Sequence, residues 1–269
     1  MQPDTRLKVD AGSVPAANDR HAVRVRGIRK VFDDLEAIRD VSIDVANGEF
    51  VSLLGPSGCG KSTLLMMVAG LLFPTSGEVI LADTPVTGPR RDVGVVFQNP
   101  VLLPWRSVID NVLLPIELLR LPVEEYRARA MELLKMVKLE EFAGALPRQL
   151  SGGMRQRASI CRALIHDPGI LLMDVPFSAL DAITRDDMAV ELLRIWQATR
   201  KTVIFVTHSI REAAFLSDRV LTMGRRPATV IDEIRIDLPR PRSIAMTEED
   251  SFNRYVRHLR KSIEASHEG

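Results

Sequence analysis

The chain has 269 residues, 46% hydrophobic and 26% charged, which is typical of a globular protein of roughly one to two domains. The formal net charge is +1, so no overall field attracts nucleic acid, and we expect no nucleic-acid partner. No apolar run reaches the roughly 20 residues that a spanning helix needs, so we expect a soluble protein. Residues 1–21 are polar, lack the apolar core of a signal peptide, and are predicted to form a disordered lead-in.

The first part of the remaining chain is predicted to be β structure. Residues 22–45 alternate apolar and polar side chains, which is typical of half-solvated strands. Asn47-Gly48 predicts a turn, and Phe50–Leu54 follows as a short buried strand. We therefore expect a small β subdomain ahead of the main core.

The rest of the chain is predicted to be a mainly parallel α/β core with an inserted helical part. Residues at about 100–155 carry an apolar stripe at helical spacing, interrupted by prolines, which predicts the helical insert. Strands and helices alternate again after residue 153, as in a parallel α/β core. Residues 243–269 are polar and predict a helix near 250–263.

A glycine-rich segment after the first buried strand matches the phosphate-loop pattern G-x-x-x-x-G-K-[ST]. Its residues are Gly55, Pro56, Ser57, Gly58, Cys59, Gly60, Lys61, Ser62 and Thr63. Glycines allow backbone N–H groups to turn toward phosphates, and the helix that follows presents its positive N-terminal end. Lys61 is predicted to neutralise β- and γ-phosphate oxygens and Ser62 to bind Mg²⁺. The segment predicts a nucleoside-triphosphate site; the alternative is an accidental glycine loop.

A second buried strand, Ile170–Asp174, ends in a carboxylate. With a phosphate loop present, Asp174 is predicted to bind Mg²⁺, and the alternative is a helix cap. The next residue, Val175, has neither a lone pair nor a titratable proton. It therefore cannot polarise a water molecule.

A third segment, Leu150–Arg157, begins a predicted helix. Ser151 is predicted to cap this helix, while Gly152 and Gly153 leave its N-terminus bare, which makes a second anion site. The segment resembles the signature motif of the ATP-binding subunits of ABC transporters. The resemblance implies that it closes on the γ-phosphate held by the other subunit of a head-to-tail homodimer.

The same resemblance implies roles for four further segments. Gln98 is similar to the glutamine that reaches the metal ion and the attacking water and senses the helical insert. Asp181, in Ala179-Leu180-Asp181, is similar to the residue that communicates across the dimer. His208 is similar to the histidine that contacts the γ-phosphate, the alternative being an ordinary surface histidine. Phe32 stands where the family places an aromatic ring under adenine, the alternative being a core residue.

The family places a Glu that polarises the attacking water where this chain has Val175. The resemblance therefore implies a catalytic set of Asp174, His208, Gln98 and Asp181 that lacks its general base, so ATP hydrolysis is expected to be impaired. Cys59 is interpreted as a tolerated small loop residue rather than a reactive thiol. Because Cys59 and Cys161 lie in different motifs, we expect no disulfide framework and a reducing compartment.

The resemblance covers residues 22–242 and implies an α/β fold, the P-loop NTPase cassette of ABC proteins. This fold has a RecA-like core, an N-terminal antiparallel β subdomain and an inserted helical subdomain. Within the family the chain is most similar to the nitrate, sulfonate and taurine importer group. That similarity rests on short segments at residues 102–105, 182–185, 212–214 and 239–242.

The leading hypothesis is an ATP- and Mg²⁺-dependent subunit that energises an importer from the cytoplasmic face of the inner or plasma membrane. Its expected partners are a second copy, transmembrane permease subunits and, indirectly, an extracytoplasmic substrate-binding protein. The surface around residues 98–105 and the helical insert is predicted to grip a permease helix because it holds exposed apolar residues, the alternative being ordinary core. Two rival hypotheses are an ATP-gated dimerising module with little hydrolysis and an ABC ATPase acting on DNA or ribosomes. The balanced charge and the single cassette disfavour the last. The sequence does not reveal the transported substrate.

Overall fold

Two sheets organise the chain in the computed structural model, which describes residues 21–178 and 180–268. The strands are β1 His21–Phe32, β2 Leu35–Ala46, β3 Phe50–Leu54, β4 Ser76–Leu81, β5 Thr84–Pro85, β6 Val93–Val96, β7 Ile170–Asp174, β8 Thr202–Thr207, β9 Arg219–Met223 and β10 Val230–Arg235. The α-helices are α1 Lys61–Val68, α2 Val108–Leu118, α3 Val123–Met136, α4 Gly152–Leu164, α5 Ala182–Thr199, α6 Ile210–Leu216 and α7 Asp250–Glu268. Short 3₁₀ helices span Glu140–Phe142, Pro147–Gln149 and Ile244–Glu248.

The smaller sheet has the order β2-β1-β4-β5, and its neighbouring strands are antiparallel. In β1 the side chains of Val23, Val25 and Ile28 are buried, while Arg24 and Arg26 between them are half-buried. This alternation is what the sequence predicts for residues 22–45. The sheet is not entirely N-terminal, however, because β4 and β5 follow α1 in the chain. Its buried side chains share one apolar core with α1.

The larger sheet has the order β10-β9-β3-β8-β7-β6, with every pairing parallel except β9 with β10. All residues of β3, β7 and β8 are buried, as expected for parallel strands that are covered on both faces. The carboxyl ends of these three strands meet at one edge of the sheet, where α/β folds commonly place ligand sites.

Helices α2, α3 and α4 form the insert that the sequence predicts at about residues 100–155, although α4 continues to Leu164. Helix α7 lies where a helix is predicted near residues 250–263, and it packs against the core through Phe252 and Leu259. The predicted ABC-cassette fold is confirmed. Of the predicted lead-in, residues 1–20 lie outside the described residues, and His21 begins β1. Ala179 and Gly269 also lie outside them.

Candidate active site

The phosphate loop connects β3 to α1 at the edge where the parallel strands end. Gly60, which precedes the helix, has a φ of 126°, a conformation that other residues rarely adopt. Lys61 is buried, and its ammonium donates to the carbonyl oxygens of Gly55 at 2.8 Å and Pro56 at 2.7 Å. The ammonium is thus held inside the loop, where phosphate oxygens can replace these two acceptors.

Two side chains with oxygen atoms meet where the phosphate loop enters α1. The Ser62 hydroxyl, on the first turn of α1, donates to Asp174 Oδ1 at 2.7 Å at the end of β7. This contact differs from the helix cap that was the alternative for Asp174. Among the described residues no group of three His, Cys, Asp or Glu side chains converges on a metal site. A hard cation here would therefore take its remaining ligands from phosphate and water oxygens, as Mg²⁺ commonly does.

A cavity of about 480 Å³ opens over the loop. It is lined by Phe32, Leu35, Ala37, Ser57, Gly58, Gly60, Lys61, Ser62, Thr63, Gln98, Val175, His208 and Arg226. The fold therefore gathers residues from both sheets, including Gln98, which follows β6, and His208, which follows β8. Phe32 is 40% exposed, which excludes the core alternative. The Lys30 ammonium lies over its ring, 4.7 Å from the centroid.

Val175 lines this cavity without contributing a polar side-chain atom. Its φ is 41°, in the left-handed region that a β-branched residue rarely occupies. Its backbone N–H donates to the carbonyl of Val206 at 3.0 Å, which fixes the residue against β8. The position where the family has a Glu is thus held firmly in place beside the phosphate loop, but it carries only an isopropyl group.

The His208 loop is held by a buried polar network at the start of α6. The Thr207 hydroxyl donates to Glu212 Oε2 at 2.6 Å, and the Ser209 N–H donates to the Thr207 hydroxyl at 2.9 Å. Burial raises the pKa of Glu212, while the Thr207 hydrogen bond and the nearby Arg185 oppose that shift. Sequence reasoning gave Glu212 no role in the site.

The signature segment does not line the cavity over the phosphate loop. Ser151 caps α4 by accepting from the N–H of Met154 at 3.2 Å, as its residue type predicts. Ser151 and Gly153 instead line a separate cavity of about 420 Å³ that includes Thr184 of α5. Gly152 begins the bare N-terminal turn of α4.

Asp181 also lies apart from the cavity over the loop. It caps α5 by accepting from the N–H of Thr184 at 3.0 Å, and the hydroxyl of the same Thr lowers the pKa of the Asp181 carboxyl. Ala179 of the same motif is outside the described residues. The described part of one chain therefore brings together the P-loop half of the predicted site and leaves the signature half elsewhere.

The two cysteines, Cys59 and Cys161, are free and buried. Three residues that line the cavity over the phosphate loop were not predicted from the sequence: Leu35, Ala37 and Arg226. Arg226 is the charged one of the three. It lies 168 positions after the loop that it contacts, so no local motif indicates the contact.

Comparison with known proteins agrees with this geometry. The family model described as "ABC transporter" matches residues 38–178. The uncharacterised ABC transporter ATP-binding protein MJ0412 of Methanocaldococcus jannaschii is 45% identical over 243 residues, covering 89% of this chain and 91% of that protein. The taurine import ATP-binding protein TauB of Rhizobium johnstonii is 51% identical over 206 residues, covering 77% of this chain and 79% of that protein.

Solved structures show the same likeness. The dimeric ATP-binding cassette MJ0796, in a post-hydrolysis state with ADP and phosphate, superposes with a TM-score of 0.71 at 35% identity. The alignment covers 81% of this chain and 100% of that one. Within the described residues, no helix is both long and apolar enough to cross a bilayer. The sequence matches and the shared fold together show that this chain belongs to the family of ABC transporter ATP-binding proteins.

Proposed function

We propose that the chain is the ATP-binding, ATP-hydrolysing subunit that energises an importer of a small anion such as nitrate, a sulfonate or taurine. One observation carries the proposal: the phosphate loop, Phe32, Gln98 and His208 line a single cavity, with Asp174 bonded to Ser62 beside it. The taurine importer subunits among the relatives support the substrate class. The short importer-like segments of the sequence point the same way.

Each residue has a role in this proposal that follows from its chemistry. Lys61 binds β- and γ-phosphate oxygens, and Phe32 stacks on the adenine. The hydroxyl of Ser62, the carboxylate of Asp174 and the amide of Gln98 fit Mg²⁺, which prefers oxygen ligands. Magnesium held by these groups would neutralise charge on the phosphate oxygens. His208 contacts the γ-phosphate.

The separation of the two half-sites supports a head-to-tail homodimer. Ser151, Gly152 and Gly153 lie outside the cavity of their own phosphate loop. The capped N-terminus of α4, with its two glycines, suits the γ-phosphate of a nucleotide held by a second copy. The related cassette MJ0796 is dimeric, which supports the same assembly here.

An apolar groove beside Gln98 supports a permease partner. A cavity of about 300 Å³ is lined by Val95, Phe97, Val101, Leu114, Pro115, Leu118, Arg162, Ala163 and His166. Val101 is 62% exposed and Trp105 nearby is 74% exposed, so these are not core residues. In this proposal a permease helix fills the groove and holds the chain on the cytoplasmic face of the membrane. The extracytoplasmic binding protein acts indirectly, through the permease.

Val175 favours a second candidate function. An ATP-gated module that dimerises but barely hydrolyses needs every part of the site except a general base, and an apolar side chain stands at that position. The two candidates share the nucleotide site and differ in turnover.

The nucleotide site is tested by Lys61→Ala in a calorimetric titration with Mg-ATP. We expect tight binding to be lost, because the ammonium neutralises phosphate charge, while the fold is retained. Lys135→Ala, at the exposed end of α3, removes the same charge away from the cavity and should bind normally. Unchanged ATP affinity in Lys61→Ala would overturn the site assignment.

A further inference from the structure

The loop between β9 and β10, residues 224–229, lies against the phosphate loop. Its Ala228 is fixed to β2, since the Ala228 N–H donates to the Ala37 carbonyl and the Arg39 N–H donates to the Ala228 carbonyl, both at 3.0 Å. A Cβ atom on Gly60 would approach that of Ala228 to 3.3 Å. The β9–β10 loop is therefore held at a defined position against the nucleotide site.

Arg226 extends from this loop onto the phosphate loop. Its Nε donates to the Gly58 carbonyl at 2.7 Å, and its Nη2 lies 3.1 Å from the point that a Cβ of Gly58 would occupy. The side chain is exposed and lines the same cavity as Ser57 and Lys61. A guanidinium has five N–H donors, so the bond to Gly58 leaves its terminal donors available.

The charge of Arg226 is not neutralised by the protein. No Asp or Glu of residues 21–178 and 180–268 forms an ion pair with it. Val175 adds no negative charge to the cavity. An exposed guanidinium on the rim of a phosphate-binding loop is thus matched to an anion, because its planar donors fit phosphate oxygens.

We propose that Arg226 is a further nucleotide-binding residue. Its Nε holds the phosphate loop at Gly58, and its terminal N–H groups bind a phosphate oxygen of a nucleoside di- or triphosphate. This inference rests on the proposed nucleotide site and adds a contact from an element that carries none of the sequence motifs. It also connects nucleotide occupancy to the β9–β10 loop and, through Ala228, to β2.

The test is calorimetric titration of the full chain with Mg-ATP and Mg-ADP at about 50 mM and about 500 mM salt. Salt screens the attraction between charges weakly at the lower concentration and strongly at the higher one, since the Debye length is about 10 Å at about 0.1 M. We expect Arg226→Gln to weaken both affinities by roughly ten- to a hundredfold at low salt, the usual effect of losing one charged hydrogen bond. The loss should shrink at high salt. Arg226→Lys, which keeps the charge, should recover part of the affinity at low salt.

The control is Arg260→Gln, which removes an exposed arginine from α7 and should leave both affinities unchanged. An Arg226→Gln variant that binds like the wild type, while Lys61→Ala does not bind, would overturn the Arg226 inference and leave the nucleotide site standing. If the affinity loss were the same at both salt concentrations, Arg226 would only position the loop, and the inference would be wrong. If Arg226→Gln and Lys61→Ala both bound nucleotide as tightly as the wild type, the proposed function would be overturned instead.

Discussion

At the scale of single residues, Val175 is unfavourable in two ways, one for the stability of the backbone and one for catalysis. It stands in the left-handed backbone region at a φ of 41°, and holding a non-glycine residue there costs on the order of 1–3 kcal/mol. It also places a side chain without acid–base chemistry in a cavity otherwise equipped for a nucleoside triphosphate. We expect neither property to weaken nucleotide binding, because the polar groups of Lys61, Ser62 and Asp174 remain in place. The expected behaviour is a long-lived ATP-bound dimer with poor turnover.

Substituting Val175→Glu should raise the rate of ATP hydrolysis by about 10²–10⁴-fold, the typical contribution of a positioned general base. It should also shorten the lifetime of the ATP-bound dimer. Steady-state phosphate release and the decay of the dimer measure the two effects. Val175→Gln is the matched control. It introduces a polar side chain of the same length as Glu that cannot act as a base, so its ATP hydrolysis should remain slow. Equal rates for the wild type and Val175→Glu would show that the chain does not need the carboxylate.

At the scale of elements, α6 is tied to its surroundings at both ends. Its C-terminal carbonyls receive the buried guanidinium of Arg242, which donates to Phe215 at 2.8 Å and Ser217 at 2.9 Å. Burial lowers the pKa of Arg242 to about 10, so it remains charged at neutral pH and suits the negative end of the helix. At the other end, Glu212 holds Thr207, the residue before His208. The N-terminal end of α6 is therefore linked to the loop that carries His208, a residue that lines the cavity.

The Glu212 carboxyl makes a pH-dependent contribution to stability. Its pKa in the folded chain is above the ordinary 4.5, so the native state binds more protons than the unfolded state. The free energy of unfolding should therefore fall as the pH rises from 4.5 through the raised pKa. Glu212→Gln keeps an acceptor for the Thr207 hydroxyl but cannot ionise, so it removes this fall in the free energy of unfolding. Urea unfolding should thus show that Glu212→Gln gains stability relative to the wild type as the pH rises above 4.5.

The control for that comparison is Glu125→Gln, on the exposed face of α3, which should change little relative to the wild type over the same range. A constant difference between wild type and Glu212→Gln at all pH values would contradict the assigned shift. A loss of ATP affinity in Glu212→Gln would show that the charge, and not only the acceptor, holds the His208 loop.

At the scale of the whole molecule, the parts readable from sequence are those with local patterns. The phosphate loop, the strand Ile170–Asp174 and the cap of α4 by Ser151 each depend on neighbouring residues, and the structure places them as predicted. The roles assigned to the site residues remain predictions. The return of β4 and β5 to the first sheet was not predicted, because their pairing is set by distant strands. Arg226 was not predicted either, because its contact with Gly58 joins residues that are 168 positions apart in the chain.

The phosphate loop and the N-terminus of α4 line separate cavities in one chain, and in the proposed function they are two halves of one site that only a second copy completes. With Mg-ATP the wild type should therefore shift from monomer to dimer, as measured by light scattering. Ser151→Arg should block the shift, because a bulky cation at the N-terminus of α4 obstructs the γ-phosphate of the partner copy, while ATP binding by the monomer remains intact. Ser107→Arg also replaces a serine that caps a helix, α2, but away from both half-sites, and it should dimerise normally. If the Ser151→Arg chain dimerises as well as the wild type, α4 does not form the second half of the site.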